Sequence, residues 1–208
     1  MTQVFLDVET KQSFSAVEDR DPAKLGISFV GIYQRSSFAE SSLFTGGVKD
    51  RSRDQGEFGS FFEADLAKLW PILEKADLVI GYNILKFDYP AMSPYYPGNF
   101  QELPTLDLLE VVKDSLGKRL RLDNLAQASL GTGKIADGWD AIRFWREGQL
   151  DKLEEYCLKD VEVTRDLYDF GKKNGFWRYV APPDEIKEFP IKWPQEEKKE
   201  GVSLTLGI

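Results

Sequence analysis

The sequence predicts an α/β fold in which helices flank a mixed β-sheet. Apolar runs follow one another closely in the first part of the chain, whereas the later runs are separated by stretches with helical periodicity. Closely spaced strands favour an antiparallel meander, and strands separated by helices run parallel through crossover connections. With 208 residues, the chain is long enough for one such domain and a short tail.

Five strands are expected, and each is a short apolar run bounded by polar residues or glycine. The third strand ends at Gly46-Gly47. The charged stretch 48–60 that follows is expected to be either a solvated loop or a flap that faces nucleic acid. The five strands are assigned to residues 4–8, 27–34, 41–45, 78–81 and 105–108.

Helices are expected where apolar residues recur at spacings of three and four. Pro71 is expected to kink or divide the first helix, and Pro90 fits the first turn of a short helix that begins near residue 87. Glycines that follow the last helical residue end three of the later helices. The helices are assigned to residues 62–76, 122–130, 139–147 and 150–172, with short helices from residue 87 and through residue 113.

The C-terminal part differs in composition from the rest of the chain. Residues 1–180 are predicted to form the domain, and residues 181–208 are predicted to form a Pro-rich, charged tail. Four prolines and many charges between residues 182 and 200 predict no packed element there. The last residues, VSLTLGI, are apolar again, which fits a strand, a segment that docks on a protein partner, or a tail on the domain surface.

The composition excludes several function classes. The chain contains no histidine, which excludes Ser-His-Asp and Cys-His catalysis and ordinary zinc sites. Cys157 is the only cysteine, so an intrachain disulfide is excluded. The net charge of −8 argues against a protein that embraces duplex nucleic acid. No apolar run approaches the ~20 residues of a membrane span and no secretion signal is present, so the cytoplasm is the expected location.

Three patterns place carboxylates where burial makes charge unfavourable. Asp7 and Glu9 lie two residues apart on the first strand and share one face, where two like charges are tolerated chiefly beside a cation. Asp88 follows the fourth strand and begins the next helix. Tyr156 and Asp160 lie one turn apart on the inward face of the longest helix.

Each pattern also has a structural interpretation. The Asp7–Glu9 pair fits a solvated strand end, Asp88 fits a helix N-cap, and the Tyr156–Asp160 pair fits an internal hydrogen bond. Because hard cations such as Mg²⁺ prefer carboxylate oxygens, the four acids together predict a site for two cations, bridged by Asp7. In that arrangement the Tyr156 hydroxyl orients the attacking water.

The segments LDVET, GYNILKFDYP and YCLKDVEVT resemble the three motifs of the DEDD exonucleases of the ribonuclease H-like superfamily, in their tyrosine subclass (DEDDy). The resemblance spans roughly residues 4–171, and the proline two residues after Asp88 is similar to the exonuclease domains of family B DNA polymerases and related stand-alone bacterial proteins. It implies a ribonuclease H-like fold and 3′→5′ exonuclease activity with two Mg²⁺ or Mn²⁺ ions. The implied substrate is the 3′ end of single-stranded DNA or RNA.

The resemblance also assigns roles to single residues. It implies that Tyr156 completes a catalytic set with the four metal ligands Asp7, Glu9, Asp88 and Asp160. It suggests that Glu9 and the backbone near Thr10 meet the terminal sugar, and that Asn83 and Phe87 lie along the scissile nucleotide. Two competing classes are an inactive ribonuclease H-like binding module in a larger assembly and an endonuclease of the same superfamily.

Other polar residues near these motifs have two interpretations each. Asp107 is expected to cap the helix after the fifth strand rather than to act as a fifth metal-site acid. The basic cluster of Lys118, Arg119 and Arg121 fits either contacts to substrate phosphates or a solvated loop. Cys157 is rotated about 100° from the Tyr156–Asp160 face and is therefore expected in the core.

Overall fold

The computed structural model describes residues 1–36, 56–132 and 138–194. Its main sheet has five strands in the order β3-β2-β1-β4-β5. The strands are β1 (Thr2–Thr10), β2 (Ile27–Ser36), β3 (Glu57–Phe62), β4 (Leu78–Gly81) and β5 (Thr105–Asp107). Strands β1, β2 and β3 pair antiparallel, whereas β4 and β5 continue the sheet in parallel from β1. The predicted α/β fold with a mixed sheet is therefore confirmed.

Six α-helices and a hairpin complete the described part of the chain. The helices are α1 (Leu66–Glu74), α2 (Asp88–Met92), α3 (Leu108–Leu116), α4 (Leu122–Leu130), α5 (Gly138–Arg146) and α6 (Leu150–Asn174). The hairpin consists of β6 (Phe176–Ala181) and β7 (Glu185–Pro190). None of these described helices is both long and apolar enough to cross a membrane.

Strand β1 lies at the centre of the sheet and separates two apolar layers. Val4, Leu6 and Val8 belong to the layer that includes the apolar residues of α1 and α2. Phe5 belongs to the opposite layer, which is formed with α3, α4, α6 and the hairpin. Because successive side chains on a strand alternate between faces, Asp7 and Glu9 lie on the same side of the sheet as Phe5. Helix α6 covers this side.

Strand β3 was not predicted, because Glu57–Phe62 overlaps the predicted loop 48–60. The predicted strand 41–45 lies outside the described residues and stays a prediction. Within the described residues, strand β3 lies at the edge of the sheet and pairs with β2 alone, and only one of its six side chains is buried. Such a strand lacks the apolar alternation of a half-buried one, which explains the error. Helix α1 then begins at Leu66 and includes Pro71 without ending there.

The predicted absence of packed structure after Pro182 is wrong for Glu185–Pro190. Strand β7 pairs along its whole length with β6, and its inward residue Phe189 is buried against Trp177. The prolines did not prevent this, because two of them form the turn and Pro190 ends the strand, where no ladder hydrogen bond is needed. Residues 195–208 lie outside the described chain, so the tail and its protein partner stay predictions.

Candidate active site

Strand β1 presents two carboxylates side by side beneath α6. The carboxylate oxygens of Asp7 and Glu9 and the sulfur of Cys157 all lie within 4.8 Å of one another. The pairing register changes between Glu9 and Thr10, at the end of the strand. Thr10 is buried, and its hydroxyl donates to the carbonyl oxygen of Gln12 at 2.9 Å, so its side chain holds the chain as it leaves the sheet.

A glycine allows α6 to approach this part of the sheet. Gly31 is the partner of Asp7 on β2, and a Cβ atom there would lie 3.0 Å from the Cys157 sulfur and 3.1 Å from a Leu158 methyl carbon. The helix therefore packs directly against the backbone of β2. This close packing places the first half of α6 next to the two carboxylates of β1.

Cys157 has a contact that the sequence analysis missed. Its burial confirms the predicted core position, but its thiol also lies 3.4 Å from Oδ2 of Asp7 and donates to it. One signal for this contact was present in the sequence. Cys157 and Asp160 are three residues apart and are therefore neighbours on the helix surface, which places the thiol beside the predicted carboxylate site. Burial raises the pKa of this thiol well above its usual value, so the donor is protonated.

The helix contributes a second carboxylate and a hydroxyl. The Tyr156 hydroxyl donates a hydrogen bond to the Asp160 carboxylate one turn later. Oδ1 of Asp160 is nevertheless buried without a hydrogen-bond donor among the described residues. A buried carboxylate oxygen without a donor is unfavourable unless a cation binds it. The donor set, which consists of carboxylate oxygens, is the one that Mg²⁺ and Mn²⁺ prefer.

Asp88 brings the fourth carboxylate from the opposite side of β1. It is the first residue of α2 and only 3% exposed. The negative charge of Asp7 acts on Asp88, and the charges of Asp7, Asp160 and Asp88 all act on Glu9. Elements that are distant in sequence therefore bring the four predicted carboxylates together.

Burial raises the pKa of all four carboxylates, and the charges of neighbouring carboxylates add to this effect at Glu9, Asp88 and Asp160. Burial raises the pKa of Asp7 to about 6 and that of Asp160 to about 8. Burial, followed by the charges of neighbouring carboxylates, raises the pKa of Glu9 and of Asp88 well above their usual values. No lysine or arginine within residues 1–36, 56–132 and 138–194 forms an ion pair with any of the four. Bound cations would supply the missing positive charge.

The loop between β4 and α2 carries the two predicted substrate-contacting residues, Asn83 and Phe87. Asn83 adopts a left-handed backbone conformation with φ of 69°, which asparagine tolerates better than most residues. Its Oδ1 accepts a hydrogen bond from Arg119 at 3.0 Å. Phe87 is half-buried and its ring packs edge-on against Phe14, with centroids 5.8 Å apart. Both residues adjoin Asp88, and their contact with a nucleotide stays a prediction.

The members of the predicted basic cluster point to different places. Arg119 reaches the loop at Asn83, whereas the Lys118 ammonium lies 4.5 Å from the centre of the Tyr179 ring. Arg121 forms an ion pair with Asp123 at 3.3 Å. Arg119 therefore contacts the loop that precedes Asp88. Its role towards phosphates stays a prediction.

Asp107 caps α3, as expected, and makes further contacts. Its Oδ1 accepts from the backbone N–H of Leu109 at 2.9 Å, which is the capping bond. The same carboxylate also accepts from the backbone N–H groups of Asn83 at 2.8 Å and Leu85 at 3.2 Å. The sequence analysis did not anticipate these two bonds, because they depend on the pairing of β4 with β5.

Comparisons with known proteins agree with this architecture. Residues 4–170 match the RNase H superfamily. In structure, the chain is similar to the family B DNA polymerase of the hyperthermophilic archaeon Pyrobaculum calidifontis, with a TM-score of 0.55 and 15% sequence identity over 83% of this chain and 24% of the polymerase. In sequence, it is 30% identical over 93 residues to the human nucleolar complex protein 3 homolog, which is 43% of this chain and 12% of that protein. At 15% sequence identity, the similarity to the polymerase shows a shared fold only. The superfamily match, in contrast, covers most of the sequence. The chain belongs to the RNase H superfamily.

Proposed function

We propose that this protein is a metal-dependent 3′→5′ exonuclease that hydrolyses phosphodiester bonds at the 3′ end of single-stranded nucleic acid. The observation that carries the proposal is the convergence of four carboxylates, of which Asp88 is buried and Asp7, Glu9 and Asp160 are half-buried, with no ion pair to a lysine or arginine of the described residues. The superfamily match and the polymerase-like fold support a nucleic-acid substrate. The order of the motifs supports the tyrosine subclass of the DEDD exonucleases.

The four carboxylates would hold two Mg²⁺ or Mn²⁺ ions. When bound, such a pair activates a water for attack on phosphorus and stabilises the oxygen that leaves. The protein positions the reacting groups around it. Tyr156 orients the attacking water through its hydroxyl, while Asn83 and Phe87 align the terminal nucleotide and the Thr10 backbone meets its sugar.

Tyr156 acts by position rather than as a base. Burial, followed by the charge of Asp160, raises the pKa of its hydroxyl far above neutral pH, so the hydroxyl stays protonated. We expect Tyr156→Phe to reduce single-turnover cleavage by no more than about 100-fold, the lower end of the range for groups that assist proton transfer. Asp160→Ala should be almost inactive. Rates are compared from about pH 6 to 9.5 at saturating Mn²⁺. Metal binding depends on pH, and at saturation the pH dependence of the rate reflects the ionisation of reacting groups rather than metal occupancy.

The predicted rate of the wild type rises with pH through the neutral range, since no histidine can impose an imidazole pKa on the profile. A Tyr156→Phe variant that binds Mn²⁺ normally but is as inactive as Asp160→Ala would show instead that Tyr156 carries the proton. That result would contradict the positioning role.

Substrate preference gives a second prediction. Because the net charge is −8, few phosphate contacts are available, and we expect a free single-stranded 3′ end to be preferred over a blunt duplex. The logarithm of the affinity should decrease linearly with the logarithm of the salt concentration. The slope of this plot should correspond to about 2–4 phosphates neutralised by the protein. The measurement uses DNA and RNA strands labelled at either end, in Mg²⁺ or Mn²⁺ and over a range of salt.

Three outcomes of this assay are decisive. Shortening from the 3′ end that EDTA abolishes supports the proposal. Efficient cutting of a circular strand indicates an endonuclease, and full activity in excess EDTA contradicts the metal-dependent mechanism.

The competing candidate is an inactive binding module, which the sequence similarity to a protein named for a nucleolar complex favours. Clustered carboxylates without cationic partners destabilise a fold, and a module that only binds gains nothing from four of them. Strand binding without any cleavage in Mg²⁺ or Mn²⁺ would identify such a module.

A further inference from the structure

Asp107 connects three segments of the protein next to the candidate site. It is the last residue of β5 and the N-cap of α3, and its side chain reaches the loop that joins β4 to α2. Only 4% of the residue is exposed. Both carboxylate oxygens are used, because Oδ1 accepts from Leu109 and Asn83 and Oδ2 accepts from Leu85.

Helix capping alone does not require this arrangement. One side-chain oxygen is enough to cap a helix, and serine, threonine or asparagine does so as well as aspartate. The two additional hydrogen bonds run to a different element, more than 20 positions earlier in the chain. The parallel register that pairs Gly81 with Asp107 brings that element within reach.

The loop that receives these bonds determines where Asp88 lies. Its turn depends on Asn83, whose carbonyl oxygen accepts from the N–H groups of Lys86 at 3.1 Å and Phe87 at 3.0 Å. Helix α2 contains only five residues, too few to be stable through its own hydrogen bonds. The position of Asp88 therefore depends on the core packing of the rest of α2 and on the loop, and the loop is attached at Asn83 and Leu85 to the Asp107 carboxylate.

We propose that Asp107 is a positioning residue of the metal site: it fixes the loop that places Asp88 and Asn83, without itself binding a metal. The proposal rests on the metal-binding part of the proposed function. Residues that orient the ligands of a metal typically change metal affinity or activity by about 10–100-fold when they are replaced. A residue that only capped α3 would have no such effect.

Two substitutions separate the loop contacts from the cap. Asp107→Ser keeps a hydroxyl for the cap but is too short to reach the loop. Asp107→Asn keeps one oxygen for Leu109 and Asn83 and places an amide group opposite the N–H of Leu85. The matched control is Asp77→Ser, which removes a carboxylate that accepts the N–H of Thr2 at 2.7 Å, at the far end of β4.

Mn²⁺ affinity is measured by electron paramagnetic resonance, which does not require cleavage, and amide hydrogen exchange is measured on the same proteins. We expect Asp107→Ser to weaken Mn²⁺ binding about tenfold or more. Exchange should accelerate at Asn83 and Leu85 but not at Leu109. Asp107→Asn should show a smaller loss of affinity with faster exchange at Leu85, and Asp77→Ser should bind Mn²⁺ like the wild type. On an active enzyme, kcat should fall more than KM changes.

Wild-type Mn²⁺ affinity in Asp107→Ser, or equal acceleration of exchange in α3 and in the loop, would overturn the inference. If Asp107→Ser does not fold, Asp107→Asn decides by the same two measurements. A wild type that binds Mn²⁺ with this dependence on Asp107 but cleaves no strand would contradict the exonuclease and leave the inference standing. A wild type that binds no Mn²⁺ would overturn both.

Discussion

Replacing Asp7 by asparagine is expected to abolish cleavage and, at the same time, to stabilise the metal-free protein. The charge of Asp7 acts on the other three carboxylates of the site, and burial raises its own pKa to about 6, so at pH 8 its charge opposes folding. Asparagine has the same shape, carries no charge, and can still accept the hydrogen bond of the Cys157 thiol through its carbonyl oxygen. The substitution therefore removes repulsion along with a metal ligand.

The expected gain at pH 8 in EDTA is on the order of 1–3 kcal/mol, because one pKa unit corresponds to about 1.4 kcal/mol. In a protein of this size, that gain raises Tm by roughly 2–4 °C per kcal/mol. Tm and the cleavage rate in Mn²⁺ are measured on the same preparation. Cleavage should fall to background.

The matched control is Asp169→Asn on α6. Asp169 pairs with Arg35 at 2.5 Å, so its removal should leave cleavage unchanged and should not raise Tm. A lower Tm for Asp7→Asn than for the wild type in EDTA would show that the Asp7 charge is compensated in the metal-free protein. That outcome would contradict the electrostatic description of the site.

The stability of the metal-free protein is expected to fall as pH rises from about 5 to 8. Carboxylates titrate near pH 4 in an unfolded chain, whereas the folded protein holds the pKa of Asp7 at about 6 and that of Asp160 at about 8. Between these values the folded state binds more protons than the unfolded state, so the free energy of unfolding decreases with pH. The stabilisation is complete below about pH 4 and is lost as pH rises through the folded pKa values.

Other carboxylates do not reverse this trend. Lysine partners lower the pKa of Glu63 and Glu110, so their contribution changes only at pH values below about 4.5. We expect Tm in EDTA to drop by several degrees between pH 5 and 8. Mn²⁺ should reduce the drop, because a ligand at 100 times its Kd stabilises the folded state by about 2.7 kcal/mol.

Asp160→Asn tests the origin of the pH effect. It removes the group with a pKa of about 8, so the part of the decline between pH 6 and 8 should shrink in that variant. If Tm of the metal-free wild type instead rises from pH 5 to 8, burial does not raise the pKa of these carboxylates in the folded protein. The measurement is Tm as a function of pH, at constant ionic strength and in EDTA, for the wild type and for Asp160→Asn.

Local patterns in the sequence predicted much of the fold. Helical periodicity and a following glycine predicted α4 with its observed bounds, and a short apolar run did the same for β4. Strands β3 and β7 were not predicted because each lies at an edge of the described sheets and buries only one side chain, so neither has the apolar alternation of a half-buried strand. Apolar patterns in a sequence report which side chains are buried. An edge strand is held mainly by backbone hydrogen bonds, so such patterns do not reveal it.

The candidate site was partly accessible to the same reasoning. Spacing along one strand or one helix predicted which acids share a face, since that geometry is local. The contact of Cys157 with Asp7 and the attachment of Asn83 to Asp107 depend instead on strand register and on the depth at which α6 packs. No spacing in the sequence specifies those distances.

The absence of a side chain at Gly31 sets how closely α6 approaches β2 beside Asp7. A methyl group there would have to displace Cys157 and Leu158 by a few tenths of an ångström. Oxygen ligands lie about 2.0–2.1 Å from Mg²⁺ and about 2.3–2.6 Å from Ca²⁺, a difference of similar size. If the carboxylates hold metal ions as proposed, we expect a larger residue at position 31 to change the preference between Mg²⁺ and Ca²⁺, although this position itself offers no ligand.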